Sequence, residues 1–362
     1  KNRPDCRRSF FPPAPAAVLT SILIRNHRIY AMLTSTNDRA IETHSLVKTF
    51  HTKHGFLTRT TRSTEAVRGI TFHVNKGELF GLLGPNGAGK TTTVKMLSTL
   101  LIPTSGSIHI FGQNILQHTR DIRKHIGFTF GGAHGLYGRL TAIENLRYFA
   151  ELYALPPRET HNRITELLEL VGLRDRGNDR VETYSSGMQQ RLHLARVLLH
   201  DPELIFLDEP TVGIDPVGAR ELRSTIKLLK NQGKTILLTT HYMAEADELC
   251  DRLAIINHGQ IIAMDSPSSL KSKLTSDAFV ELKTSGENLP SVKNVLAQLD
   301  PDSEVTYNQH AFVWEVNIRT RQPGVVMELL APLLSSNLIQ TLGVRNQTME
   351  DVYVSIIQNG GA

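Results

Sequence analysis

The feature that most constrains this chain is an eight-residue run, Gly84-Pro85-Asn86-Gly87-Ala88-Gly89-Lys90-Thr91, which matches G-x-x-x-x-G-K-[ST] without a gap. Its surroundings suit the same reading. Residues 78–83 form a short apolar run, expected to be a buried strand, and residues 90–100 read as a helix leaving the glycines. Glycines let the backbone curl so that successive N–H groups face phosphate oxygens, and the helix start adds partial positive charge. In such a loop Lys90 reaches the outer phosphates and the Thr91 hydroxyl takes a place on Mg²⁺. The alternative is a glycine-rich turn without a ligand.

At 362 residues the chain is long enough for one large or two modest domains, with ample core. No apolar run reaches the roughly 18 residues of a membrane span. Two cysteines, Cys6 and Cys250, make no disulfide framework and suit a reducing compartment. The net charge of +5 hides an asymmetry. Residues 1–63 carry net +8 and the remainder net −3, so the body gives no support for nucleic-acid binding.

The charge and residue pattern divide the chain. Residues 1–38 are proline-rich and basic, expected to be a disordered tail, or sequence upstream of a start at Met32, with a signal peptide as the other reading. Residues 39–270 read as an α/β unit, opening with strands at 41–50 and 66–74. Within it, residues 141–180 carry apolar residues at helical spacing and read as a helical insertion. Residues 275–362 read as a small α+β module of βαββαβ type, with strands at 278–282, 311–316 and 339–344 and helices at 292–299 and 325–334. The expected fold class is thus a P-loop NTPase-type sheet core with an N-terminal antiparallel β part, a helical insertion and a small C-terminal module.

Four further elements bear on the chemistry. Leu204-Ile205-Phe206-Leu207-Asp208-Glu209 is an apolar run ending in two carboxylates, which a buried strand would present at the ligand crevice of an α/β sheet. Asp208 suits Mg²⁺ and Glu209 suits polarisation of an attacking water. His241 ends the next apolar run. Tyr184-Ser185-Ser186-Gly187-Met188 precedes a helix read over 192–199, with Ser185 or Ser186 as its cap and the helix start as an anion site. Gly213-Ile214-Asp215-Pro216 reads as a turn into a helix starting near Pro216. Taken singly, an acidic strand end, a structural histidine, a capped helix and a turn are the plainer readings.

The order and spacing of these five elements over residues 41–270 resemble the ATP-binding cassette family, and in particular its two-component drug, lipid or polysaccharide exporters. Residues 348–353, Thr348-Met349-Glu350-Asp351-Val352-Tyr353, add to that likeness. The resemblance implies ATP hydrolysis with Mg²⁺. Catalytic roles would fall to Glu209, His241 and Lys90, and metal contacts to Thr91 and Asp208. Nucleotide contacts would come from Phe50, Gly84, Pro85, Asn86, Gly87, Ala88, Gly89, Lys90, Thr91 and Thr92. Ser185, Ser186 and Gly187 would act on the ATP of a second copy in a head-to-tail homodimer. The other implied partner is a multi-spanning membrane permease, with the chain at the cytoplasmic face of the membrane. A soluble cassette ATPase of DNA repair or translation and an importer motor are the alternatives. One departure stands out: the family's glutamine after the strand at 126–130 is absent, and water or His134 is the expected substitute.

Overall fold

A computed structural model describes residues 38–54, 60–130, 135–273, 278–300, 303–310, 312–345 and 347–359. The described chain opens on a long antiparallel hairpin of β1 (Arg39–His54) and β2 (Thr60–Asn75), pairing Ile41 with Val74 and Lys48 with Val67. β3 (Leu79–Leu83), five buried residues, leads into the glycine loop, and α1 (Lys90–Leu97) leaves it. β4 (Ser105–Ile110) and β5 (Gln113–Asn114) return beside β1, completing a sheet of order β2-β1-β4-β5.

α2 (Thr119–His125) and β6 (Ile126–Phe130) lead to the helical segment, α3 (Ala142–Leu152) and α4 (Pro157–Leu170). Thr141 caps α3 in a reciprocal box with Glu144, and a single bridge from Thr141 to Arg180 closes the segment at its neck. Then come α5 (Ser186–Val197), β7 (Leu204–Asp208), α6 (Pro216–Asn231), β8 (Thr235–Thr240) and α7 (Met243–Leu249). A hairpin of β9 (Arg252–Asn257) and β10 (Gln260–Asp265) and a short α8 (Pro267–Lys273) follow.

The second sheet runs β10-β9-β3-β8-β7-β6, parallel except at β10. Its central strands are apolar throughout because helices and the first sheet cover both faces. One core, with Phe80, Phe206 and Leu237, fills the space toward the first sheet. The other, with Leu79, Ile205, Leu207 and Leu238, lies under the helices. Parallel register sets Leu83 beside Thr240 and Asp208 beside Thr239. The strand tips carrying function are therefore neighbours.

A third sheet, order β12-β13-β11-β14, is built from β11 (Ala278–Ser285), α9 (Leu289–Leu296), β12 (Glu304–His310), β13 (Val313–Thr320), α10 (Pro323–Ser335) and β14 (Thr341–Arg345). α9 and α10 cover one face over Val280, Leu282, Val316 and Ile318. The last helix, α11 (Met349–Asn359), crosses back: Met349 and Val352 join the core shared with Leu249 of α7 and Leu270 of α8.

Three sequence expectations are corrected. The strand read at 311–316 is β13, which starts at Val313 and runs on to Thr320, with Phe312 before it 91% exposed, and β12 was missed because Val305 and Tyr307 alone mark its inner face. Cross-strand pairing with β13, rather than intrinsic propensity, makes it a strand. The helix read over 192–199 spans Ser186–Val197, and of the two expected caps it is Ser185, whose hydroxyl accepts the Met188 N–H. Finally, the sequence reading placed no helix at α11.

Candidate active site

The glycine loop is pressed against its own sheet. A Cβ on Gly84 would lie 2.2 Å from the Ile256 carbonyl oxygen, and one on Gly89 (φ +107°) would lie 2.5 Å from that of Ala66. No side chain fits at either place. Lys90, only 4% exposed, donates through Nζ to the carbonyls of Gly84 (2.7 Å) and Pro85 (3.2 Å). Its third neighbour is Glu209 Oε1 at 3.1 Å. Pro85, Asn86 and Gly87 form the open arc of the loop, Ala88 anchors it in the core, and Thr91 and Thr92 are half-buried in the first turn of α1.

The two acids sit in different environments. Thr91 Oγ1 donates to Asp208, 2.9 Å from Oδ2, and Thr239 Oγ1 donates to Oδ1 at 2.5 Å. Glu209 has φ +49°, the left-handed region that a glutamate enters at a cost of roughly 1 kcal/mol. Its N–H is held there by the Thr239 carbonyl and hydroxyl oxygens, both at 3.1 Å. This turn swings Glu209 Oε1 between Lys90 Nζ and His241 Nδ1, the latter at 3.3 Å. The His241 contact is a close electrostatic approach, since Nδ1 makes no hydrogen bond of ordinary geometry among the described residues. The histidine ring lies against Tyr242, centroids 4.2 Å apart.

Ser185, Ser186 and Gly187 open α5. The Ser186 hydroxyl donates to the Gly213 carbonyl at 2.8 Å, tying this helix start to the turn before α6. Asp215 caps α6 by accepting the N–H groups of Val217 and Gly218, both at 3.0 Å, and those bonds hold its carboxyl below the usual range. Gly187 packs against Gly218 where α5 and α6 meet.

Lys90, Thr91, Asp208, Glu209 and His241 thus come together at one crevice, Lys90 and His241 on Glu209, and Thr91 on Asp208. Ser185–Gly187 belong to a separate cluster with Gly213 and Asp215. Phe50 lies on β1, 41% exposed, with the Lys48 ammonium 5.3 Å from its ring centre, so it is not a core residue. His134 falls outside the described residues. Sequence reading missed Thr239, which is fully buried and orders both acids at once. A hydroxyl inside the apolar run Thr235-Ile236-Leu237-Leu238-Thr239-Thr240 was the available signal.

Glu245, on α7, is 4% exposed, and neither of its carboxyl oxygens has a hydrogen bond of ordinary geometry among the described residues. Burial pushes its pKa up, more than the nearby Thr240 and Thr211 hydroxyls and Arg223 pull it down. A raised folded pKa favours the fold below the unfolded carboxyl value, about 4.3, and that favour is lost as pH rises through the folded value. Glu245→Gln should therefore raise the melting temperature at about pH 8 and shrink the difference between about pH 5 and pH 8. Identical melting curves for the two proteins at both pH values would contradict this.

A glycine loop between a buried strand and a helix, facing an Asp-Glu pair and a histidine on adjacent parallel strand tips, defines a P-loop nucleotide hydrolase cassette. The ABC transporter family profile matches residues 67–212. The linearmycin resistance ATP-binding protein LnrL of Bacillus subtilis is 38% identical over 291 residues, covering 80% of this chain and 93% of that protein. The daunorubicin/doxorubicin resistance ATP-binding protein DrrA of Streptomyces peucetius is 34% identical over 320 residues, covering 88% and 92%. Among solved structures, an ATP-binding cassette dimer in a post-hydrolysis state with ADP and phosphate aligns at TM-score 0.55 and 26% identity, over 62% of this chain and 98% of that one. The chain belongs to the ABC transporter family of ATP-binding proteins. It is an ATPase, and ATP is its nucleotide.

Proposed function

We propose that the chain is the motor subunit of a drug exporter, acting at the cytoplasmic face of a membrane as a head-to-tail homodimer bound to a multi-spanning permease. One observation carries the direction of transport. The likeness to proteins named for linearmycin and for daunorubicin/doxorubicin resistance extends over 291 and 320 residues, more than the cassette at 39–270 holds, so it runs past the cassette. A mycobacterial relative, 50% identical over 206 residues, is named for fluoroquinolone export.

In this reading Lys90 and His241 neutralise charge on the γ-phosphate and Glu209 orients the attacking water. Thr91 and Asp208 offer hard oxygen ligands that fit Mg²⁺. A bound Mg²⁺ would balance phosphate charge. Thr239 donates to Asp208 Oδ1 and Thr91 to Oδ2, and these bonds fix the carboxylate that would hold the ion. Ser185, Ser186 and Gly187 present the start of α5 to the phosphates of the other copy's ATP, and Phe50 offers a ring for adenine. Among the described residues no helix is long and apolar enough to cross a membrane, and in this reading the permease supplies the membrane path. At the helical segment Tyr137 and Tyr148, both exposed with rings 5.0 Å apart, offer it an aromatic contact.

The test is purification of the chain from gently solubilised membranes of its native cell, followed by mass spectrometry. A stoichiometric multi-spanning partner is the expected result. Recovery only from the soluble fraction, alone or with ribosomes or nucleic acid, would overturn the exporter reading and leave the ATPase intact.

A further inference from the structure

Hydrolysis by Lys90, Asp208, Glu209 and His241 makes no use of Glu245, which follows the histidine by four residues in the first turn of α7. A carboxyl withdrawn from water ordinarily meets a cation or a set of N–H donors. This one is buried and has neither. Among the described residues no N–H donates to either of its oxygens in ordinary geometry. Arg223 of α6 is the cation that faces it, and that guanidinium lies 2.9 Å from the exposed Glu248. Glu248 adds a like charge from the same helix, and Cys250, just past the helix end, is a buried thiol.

What the carboxyl does face is two buried hydroxyls, Thr240 at the tip of β8 and Thr211 in the turn after β7. Thr211, Gly213, Tyr242 and Glu245 line one cavity of about 320 Å³. The Thr240 hydroxyl already accepts the Tyr242 N–H at 3.0 Å, so its own hydrogen is free for another acceptor. Two hydroxyls and no counter-ion suit an uncharged acid, which can donate to one and accept from the other. Burial works in the same direction, raising the pKa of Glu245.

The two threonines belong to different parts of the site. Thr240 directly precedes His241, and its carbonyl accepts the Gly84 N–H at 3.4 Å, where the glycine loop begins. Thr211 lies two residues after Glu209, and its carbonyl accepts the Ile214 N–H at 3.3 Å. That bond closes the turn whose Gly213 carbonyl holds Ser186. Ala246 and Leu249 anchor α7 in the core, so Glu245 projects from a fixed backbone. One side chain stands between the histidine tip and the turn that reaches the start of α5.

We propose that Glu245 is a positioning residue for ATP hydrolysis, its carboxyl joining the Thr240 and Thr211 hydroxyls and so setting His241 against the turn that follows Glu209. It touches no reacting atom. The acid keeps its proton in this role, because a carboxylate there would be a buried charge without a partner. The role rests on the one proposed for His241 in hydrolysis and is independent of the exporter reading.

Release of radiolabelled phosphate from ATP by the full chain tests this, since it registers slow variants. Glu245→Met keeps the length of the side chain and removes both oxygens. It should lower kcat about tenfold and leave KM for ATP within about twofold. Glu245→Gln restores a donor and an acceptor and should recover most of that loss. The pH profile separates positioning from packing. Wild-type turnover should fall as pH rises through the raised pKa of Glu245, where the acid gains charge, and Glu245→Gln should lack that fall. This comparison stands even if Glu245→Met does not fold. In a His241→Ala background, Glu245→Met should cost less than about twofold, because a residue that acts through the histidine has little left to set. Unchanged turnover in His241→Ala would remove the histidine's role, and with it this one. If His241→Ala is slow, three results would each overturn the positioning role alone: wild-type kcat in Glu245→Met, an unaltered alkaline fall in Glu245→Gln, or equal costs of Glu245→Met with and without His241.

Discussion

Glu209→Gln is expected to lower ATP turnover by about 10²–10⁴-fold, the range for loss of a positioned base, while ATP affinity stays near wild type. The separation follows from what holds the residue. Its left-handed backbone is fixed by main-chain bonds to Thr239, which a glutamine keeps. Lys90 retains its carbonyl partners Gly84 and Pro85 when the carboxylate goes, so the glycine loop keeps its shape. What is lost is a charge aimed between Lys90 and His241. With ATP bound and not cleaved, the paired form should accumulate, visible as an ATP-dependent dimer in size-exclusion chromatography. Turnover within about threefold of wild type would remove Glu209 from the role of base, since a positioned base contributes far more.

The contrast between what the sequence disclosed and what it hid follows from how far each interaction reaches. The glycine loop, the acids at 208 and 209 and the histidine at 241 were legible because each sits at a fixed offset from a short apolar run, and buried parallel strands are apolar throughout. The cap at Ser185 was legible, whereas its helix was read only from residue 192, because residues 186–191 carry few apolar side chains to mark a buried helical face. Three features were not legible. The positive φ of Glu209 leaves no trace in composition, for glutamate is a poor choice there and only the Thr239 contacts make it tenable. β12 depends on pairing with β13 rather than on its own residues. The return of α11 onto α7 joins residues about a hundred positions apart through Met349 and Val352, with Tyr353 and Ile356 packed beside them, and their spacing alone says nothing of their partner.

Lys90→Ala should act on the other side of the separation. It should weaken ATP binding by about 10- to 100-fold and abolish measurable turnover, with the fold preserved. A hydrogen bond to a charged group contributes about 1.5–3 kcal/mol, which corresponds to that range of affinity. Lys90 is the cation closest to Glu209 and is nearly sealed from water, so solvent cannot replace it. Lys90→Arg should not rescue: the site admits a compact ammonium with three oxygen neighbours within 3.2 Å, and a planar fork has no room to match them. The two substitutions should also fail to add in turnover. Once nucleotide is held too weakly to present its γ-phosphate, removing the base as well has little left to cost. Equilibrium binding of a fluorescent ATP analogue to the single and double variants, read beside steady-state turnover, tests this directly. If Lys90→Ala bound the analogue as tightly as Glu209→Gln does, the glycine loop would be holding phosphate through its backbone alone, and the ammonium would have no part in nucleotide affinity.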